Sequence, residues 1–184
     1  LAVSDVSVSN TDNDTAGVSV TPTSGLTTTE AGGQATFDIV LTSQPSADVT
    51  ISIVTTDATE GTVSSALLTF TNANWNTPQT VTVTGVNDDV DDGNVSYSIT
   101  TGAASSADPQ YNGMAVSDVS VSNTDNDTAN VNVTPTSGLV TTEAGGTATL
   151  TMRLNTQPTA NVVIGLSSSD STEGSVSFTS LIFT

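Results

Sequence analysis

The sequence repeats itself over a long distance. Residues 10–16, NTDNDTA, return letter for letter as residues 123–129, an offset of 113 residues, and the same offset relates residues 21–26 to residues 134–139. About two-thirds of the positions that can be compared at this offset are identical. A period of this length is the size of a whole domain and is longer than a solenoid repeat. The sequence therefore predicts a tandem array of near-identical domains.

The offset divides the chain into three parts. Residues 1–16 match the closing strand of a preceding repeat, residues 17–129 form one complete repeat, and residues 130–184 match the first half of a following repeat. A hydrophobic content of 35% supplies one modest core for a domain of this size.

The charge balance is strongly acidic. There are 19 acidic residues and a single base, Arg153, and His and Cys are absent. This balance makes nucleic acid and anionic membranes unsuitable partners, and it favours cations. The lack of Cys excludes disulfides and thiolate sites, so a bound metal is the expected staple for a small domain. No run is apolar and long enough to predict direct membrane insertion in these residues.

Apolar residues alternate with Ser, Thr and Asp along the complete repeat, which is the pattern of half-buried antiparallel strands. Seven strands are predicted, which we call A to G: a broken strand within residues 18–29, then 35–41, 49–54, one within 62–70, 81–86, 95–99 and 116–121. This spacing predicts an all-β chain of tandem seven-stranded, immunoglobulin-like β-sandwiches. The predicted core residues are Phe37, Ile39, Leu41, Ile51, Ile53, Leu68, Phe70, Val81, Val83, Tyr97, Ile99, Val119 and Val121.

Acidic residues collect in the loops at one end of this predicted sandwich, which we call the acidic tip. Successive strands run in opposite directions, so the loops after strands A, C, E and G share an end. The acids in those loops are Glu30, Asp57, Glu60, Asp88, Asp89, Asp91, Asp92, Asp125 and Asp127. The opposite end has Trp75, which we expect to close the core, and only Asp48 and Asp108 as acids.

Such a tip is unstable without counter-ions. Two carboxylates roughly 4 Å apart repel by about 4 kcal/mol at an effective dielectric of about 20. Oxygen ligands without His or Cys select Ca²⁺ or Mg²⁺, and ligands from several flexible loops suit the variable coordination of Ca²⁺. We therefore expect Ca²⁺ at the tip, with two or more ions sharing carboxylates.

Each acidic motif also has a plainer interpretation. Runs such as Asp-Asn-Asp are ordinary turn sequences, and both Glu30 and Glu60 could be simple turn acids beside glycines. Five other acids are expected to face solvent in strands or turns and are assigned no site: Asp5, Asp38, Asp48, Asp108 and Asp118. The metal interpretation rests on the convergence of several loops, not on one motif.

Four stretches resemble successive signatures of Calx-beta domains, which are Ca²⁺-binding β-sandwiches of exchangers, integrins and bacterial surface proteins. These stretches are EAGGQATF at residues 30–37, DATEG at 57–61, GVNDDVDD at 85–92 and DNDTA at 125–129. The resemblance covers the whole complete repeat and is closest to long bacterial arrays. It implies Ca²⁺ ligands at Glu30, Asp57, Asp88, Asp89, Asp91, Asp92, Asp125 and Asp127. Two asparagines, Asn87 and Asn126, stand where the exchanger pattern has acids, and Glu60 has no assigned role in the family.

The sequence leads to a structural function. The acidic tip lies where strand G passes into the next repeat with almost no linker, so bound Ca²⁺ is expected to set the angle between repeats. We expect a Ca²⁺-stiffened segment of a long bacterial extracellular fibre, adhesin stalk or matrix filament, secreted or at the cell surface. Its partners are the adjacent repeats of the same chain, with other copies in a filament as a further possibility. A Ca²⁺-sensing regulatory module is the alternative, and an enzyme is not expected because no nucleophile with a base can be assembled.

Overall fold

The computed structural model of the chain describes residues 3–184. The first ten strands are β1 (Val18–Thr21), β2 (Leu26–Thr29), β3 (Gln34–Leu41), β4 (Val49–Thr55), β5 (Gly61–Val63), β6 (Leu67–Phe70), β7 (Gln79–Gly85), β8 (Val95–Thr101), β9 (Ser105–Ser106) and β10 (Val119–Thr124). Four more strands follow: β11 (Val131–Thr134), β12 (Thr151–Leu154), β13 (Val162–Gly165) and β14 (Ser180–Phe183). Among the described residues, no helix has the length and apolar character needed to cross a bilayer.

The ten strands of residues 18–124 form a sandwich of two sheets. One sheet has the order β1-β3-β7-β5, and the other has the order β2-β10-β8-β4-β6, with β9 pairing to β4. All of these pairs are antiparallel except β2 with β10, which run parallel. The predicted immunoglobulin-like sandwich is confirmed by this order.

The core lies between the two sheets, and every predicted core residue is buried. The inward positions alternate with Ser and Thr on the outer faces, as in β7, where Val81 and Val83 are fully buried. Val49, Ala104 and Tyr111 also belong to the core and were not predicted. Trp75 packs against the edge of this core, and its carbonyl accepts a hydrogen bond from Leu41 N–H at 3.1 Å.

Three predicted strands differ from the structure. The broken strand A is β1 and β2 in different sheets, and strand D divides in the same way into β5 and β6. Strand G begins at Val119 instead of residue 116 and continues to Thr124. The reason is that Asn123 follows Val119 and Val121 on the inward face and is buried, while Thr124 pairs with Thr29 in β2.

One acid expected to face solvent is buried. Asp108 is 6% exposed. Its carboxylate accepts hydrogen bonds from Ser46 N–H at 2.8 Å and Gln110 N–H at 2.9 Å, which lower the pKa of the carboxyl group. Asp108 therefore ties two loops together at the end of the sandwich opposite the acidic tip, beside the hydrogen bond from Tyr111 to Ser43 O.

The last four strands pair in the registers of their counterparts. Val131 lies opposite Leu154 as Val18 lies opposite Leu41, and Val162 lies opposite Phe183 as Val49 lies opposite Phe70. Residues 3–17 contain no strand, although they repeat the sequence that includes β10. The end of this segment contacts the sandwich: Thr42, directly after β3, donates to Gly17 O and Thr15 O, and Ala16 packs against the core. Residues 1 and 2 of the expected closing strand lie outside the described residues.

Candidate metal centre

The parallel pair β2–β10 brings Glu30 to the segment that follows β10. Thr29 lies opposite Thr124, and Glu30 N–H donates to Thr124 O at 3.1 Å. The Glu30 side chain is 4% exposed, and its Oε2 accepts a hydrogen bond from Asn126 N–H at 3.0 Å. A carboxylate that is almost fully buried thus lies against the chain where it leaves the sandwich.

A first group of carboxylates forms around Glu30. Ligand oxygens of Glu30, Asp125 and Asp127 lie within 4.8 Å of one another. Asp125 is fixed by hydrogen bonds from Asp127 N–H and Gly93 N–H, both at 2.7 Å, which hold the pKa of its carboxyl group below the ordinary value. Asp127 Oδ2 is shielded from solvent and has no hydrogen-bond partner in residues 3–184.

A second group forms beside it around Glu60. Ligand oxygens of Glu60, Asp88 and Asp92 also lie within 4.8 Å of one another. Glu60 is 6% exposed and precedes β5, whereas Asp88 and Asp92 come from the loop between β7 and β8, residues 86–94, called here the β7–β8 loop. Two loops of the sandwich therefore meet at this group.

A buried network of hydrogen bonds extends from Glu60 into the core. Asn123 Nδ2 donates to Glu60 Oε2 at 3.2 Å and to Val86 O at 3.0 Å. Asn123 Oδ1 accepts from Thr28 Oγ1 at 3.0 Å, and Thr28 Oγ1 lies 3.3 Å from Tyr97 OH. Both the nitrogen and the oxygen of the Asn123 amide are therefore hydrogen-bonded, and this side chain links the core to the acidic tip.

The electrostatics of the two groups are unfavourable for carboxylates alone. Burial raises the pKa of Glu30, and the charges of Asp125, Asp88 and Asp127 raise it further, against the Asn126 N–H. Burial likewise raises the pKa of Glu60, with added repulsion from Asp92, Asp57 and Asp88. The pKa of Asp127 is raised by burial and then by Asp125, Asp89, Asp88 and Asp91. The charge of Asp88 helps to raise the pKa of all three groups, so the two groups of carboxylates repel each other.

Three predicted ligands lie outside both groups. The Asp57 carboxylate accepts hydrogen bonds from the Thr59 hydroxyl and the Thr59 N–H, and these lower its pKa. Asp91 Oδ2 accepts from Ala129 N–H at 2.7 Å. Asp89 is exposed but close enough to raise the pKa of Asp127. The structure thus brings together Glu30, Asp88, Asp92, Asp125 and Asp127 from the predicted set and adds Glu60.

The two asparagines that depart from the exchanger pattern contact each other. Asn126 Nδ2 donates to Asn87 Oδ1 at 3.1 Å. Two carboxylates at these positions would repel, whereas two amides can donate and accept. The pair joins the β7–β8 loop to the segment after β10 through neutral groups.

The residues fit a hard divalent cation. Buried carboxylate oxygens are normally paired with a donor or a metal, and Asp127 Oδ2 is shielded from solvent and has no donor among residues 3–184. The ligand atoms of both groups are carboxylate oxygens, which suit Ca²⁺ and Mg²⁺ and give no basis for selecting zinc or copper.

Two residues of this site were missed by sequence reasoning. Glu60 was placed at the tip but given no role, because nothing in its neighbourhood of small residues signals burial. Asn123 was not considered, although it follows Val119 and Val121 at a spacing of two residues. That alternation is the signal that could have identified it as an inward side chain.

Comparisons with known proteins give only distant likenesses. No family model matches the sequence, and no curated protein matches it significantly. Similar solved structures include the periplasmic chaperone SfaE, with 13% identity and a TM-score of 0.47 over 60% of this chain and 58% of the chaperone. They also include the apo-form Calx CBD1 domain, with 19% identity and a TM-score of 0.46 over 60% of this chain and 96% of that one.

The calcium binding domain CBD12 of CALX1.1 is similar at 18% identity and a TM-score of 0.46, over 59% of this chain and 45% of that one. The chain thus spans less than two thirds of the chaperone and of the CBD12 structure. At these identities and scores the likenesses carry no conclusion about function. The sandwich is established by the strand order and the core.

Proposed function

We propose that the acidic tip binds Ca²⁺ and that the protein is a structural segment stiffened by this binding. Glu30, Asp125 and Asp127 would hold one ion, and Glu60, Asp88 and Asp92 would hold a second. Bound Ca²⁺ would supply positive charge and oxygen coordination that neutralise these carboxylates. The matching context is an extracellular bacterial fibre, stalk or filament built from such repeats.

The observation that carries this proposal is that Asp127 Oδ2, next to the buried Glu30, has no hydrogen-bond partner in the described part of the chain. A protein that used these acids only as a solvated surface would leave their oxygens in water. Here two carboxylates are buried, a third has a shielded oxygen without a donor, and other negative charges surround them. A bound divalent cation relieves both the desolvation and the repulsion.

The position of the tip supports a mechanical role. Asp125 and Asp127 follow β10 directly, and Val131 already begins the next strand. Asp91 holds the Ala129 N–H in the short connection between them. Force applied along the chain therefore passes through residues of the candidate metal centre. A sensing module is less well supported, because the neighbouring repeats are near-identical, whereas a sensor requires differentiated copies.

Calcium titration calorimetry on the full chain tests the proposal. Asp88→Asn should abolish most of the heat of Ca²⁺ uptake, because Asp88 belongs to the second group and its charge also acts on Glu30 and Asp127 of the first. Asp48→Asn is the matched control: it removes one negative charge from an exposed position outside the acidic tip. Uptake that is equal in both variants would contradict the assignment of the site.

A further inference from the structure

The β7–β8 loop has two sides that face different parts of the molecule. Asp88 and Asp92 face Glu60 inside the acidic tip. On the other side, Asp89 O accepts a hydrogen bond from Gln157 N–H at 2.6 Å, in the loop between β12 and β13. The contact therefore joins the loop to residues of the following repeat.

The two sides are joined by short hydrogen bonds within the loop. Asp88 Oδ1 accepts from Val90 N–H at 2.8 Å, and Val90 O accepts from Asp92 N–H at 3.1 Å. Val90 is thus held by the same two acids that belong to the second carboxylate group. The Asp88 carboxylate and the Asp92 backbone N–H therefore both fix the position of Val90.

Val90 lies at an apolar junction. Together with Val131, Leu154, Pro158 and Val162 it lines an open cavity of about 490 Å³ between the loop and the following strands. Val90 itself is half-buried although it stands among acidic residues. The loop therefore offers one apolar side chain and one backbone carbonyl to the next repeat.

The surface that receives the loop is present in both copies. Residues 43–47, SQPSA, correspond to residues 156–160, TQPTA. In the complete copy, Pro45 is buried within its own repeat, Gln44 is exposed, and the Gln44 N–H has no hydrogen-bond partner among residues 3–184. The Gln157 N–H, in contrast, donates to Asp89 O of the neighbouring repeat.

We propose that the β7–β8 loop couples cation binding to docking of the next repeat, with Val90 and Asp89 O seated on the loop that contains Gln157. This inference rests on the proposed function and names the partner surface through which the tip acts. Neutralised Asp88 and Asp92 hold Val90 in its docked position. Without cations their repulsion displaces Val90 and frees the Gln157 loop.

Distance measurements between two spin labels test the coupling. The chain has no cysteine, so Thr62→Cys on β5 and Ser169→Cys after β13 place labels only at these exposed positions. Pulsed dipolar spectroscopy is recorded with Ca²⁺ and with EDTA for the doubly labelled parent chain and for two variants, Val90→Ser and Gln157→Pro. Calorimetry measures Ca²⁺ uptake on the same proteins, and thermal melts check that each variant is folded.

Each variant has a control that makes the same change elsewhere. Val54→Ser alters a valine that is 55% exposed on the outer face of β4, and Gln44→Pro alters the exposed counterpart of Gln157, whose N–H has no partner in residues 3–184. With Ca²⁺ we expect a narrow distance distribution for the parent and both controls. The distance distributions of Val90→Ser and Gln157→Pro should be as broad in Ca²⁺ as that of the parent is in EDTA. Both variants should still take up Ca²⁺, but with lower affinity than the parent and the controls, because coupling between two binding events is reciprocal.

Narrow distributions for both junction variants would overturn the docking role and leave the proposed function intact. A complete loss of Ca²⁺ uptake in Val90→Ser would overturn the inference that the docking side of the loop is separate from its cation-binding side. A parent distribution that Ca²⁺ does not narrow, with uptake present, would overturn the stiffening itself and the coupling with it.

Discussion

Single residues decide whether the acidic tip is a solvated surface or a cation-binding site. Glu60 and Asn123 are both almost fully buried and share a hydrogen bond, and Asn123 uses its amide on three partners. Removing a partner from a buried polar group costs more than the bond itself contributes, because the remaining group stays without water. The stability of the tip should therefore depend on the Asn123 amide.

Asn123→Asp should destabilise the cation-free protein by about 3 kcal/mol at neutral pH. The change removes the donor to Glu60 and Val86 O and places a second carboxylate beside Glu60. Asn72→Asp makes the same change in an exposed loop. Urea denaturation in EDTA measures both variants, and equal midpoints would contradict the network.

Glu60→Gln tests the pH dependence of the tip without cations. A raised pKa in the folded state means that the folded protein takes up protons more readily than the unfolded chain, so stability is gained as the pH falls. That gain is complete below the ordinary Glu pKa of 4.5 and is lost as the pH rises through the folded value. In EDTA, Glu60→Gln should be more stable than the parent at pH 7, and the difference should shrink towards pH 4.5. A difference that does not change with pH would contradict the raised pKa.

At the scale of the strands, close contact between backbones positions the tip. β7 ends at Gly85, whose N–H donates to Gly33 O at 3.0 Å. A Cβ at Gly85 would overlap the Thr29 carbonyl and the Asn123 side chain. The absence of a side chain here allows β2, β7 and β10 to approach where Glu30 and the β7–β8 loop begin.

Gly85→Ala should destabilise the fold by about 1–3 kcal/mol, because the overlap involves backbone that cannot move independently. Gly165→Ala is the control, since a Cβ at Gly165 meets no atom within 4 Å. Thermal melts compare the two. A melting temperature for Gly85→Ala equal to that of the control would show that the strands can move apart at Gly85 without loss of stability.

Sequence alternation predicts most of the strands and the core because period 2 reports directly which side chains face inward. It does not predict that strands A and D change sheets midway, since both halves keep an ordinary strand pattern. Alternation places the acids at one end of the sandwich but does not predict which of them form the two carboxylate groups. The hydrogen bonds that Asp57 accepts from Thr59 and Asp91 accepts from Ala129 depend on loop conformation. The burial of Glu60 likewise depends on Asn123, which is distant in sequence.

The whole molecule connects consecutive repeats through one short segment. Only residues 125–130 separate β10 from β11, and they contain two carboxylates of the first group. The net charge of −18 acts against a close approach of repeats unless cations are bound. A stiff array therefore requires neutralisation at this segment.

Small-angle X-ray scattering of the full chain, recorded with Ca²⁺ and with EDTA, tests this claim most directly. We expect a single well-defined maximum dimension with Ca²⁺ and a more heterogeneous distribution of shapes in EDTA. Asp88→Asn should give the EDTA-like curve in both solutions, whereas Asp48→Asn should behave as the parent. Superposable curves for the parent in the two solutions would contradict Ca²⁺-dependent stiffening.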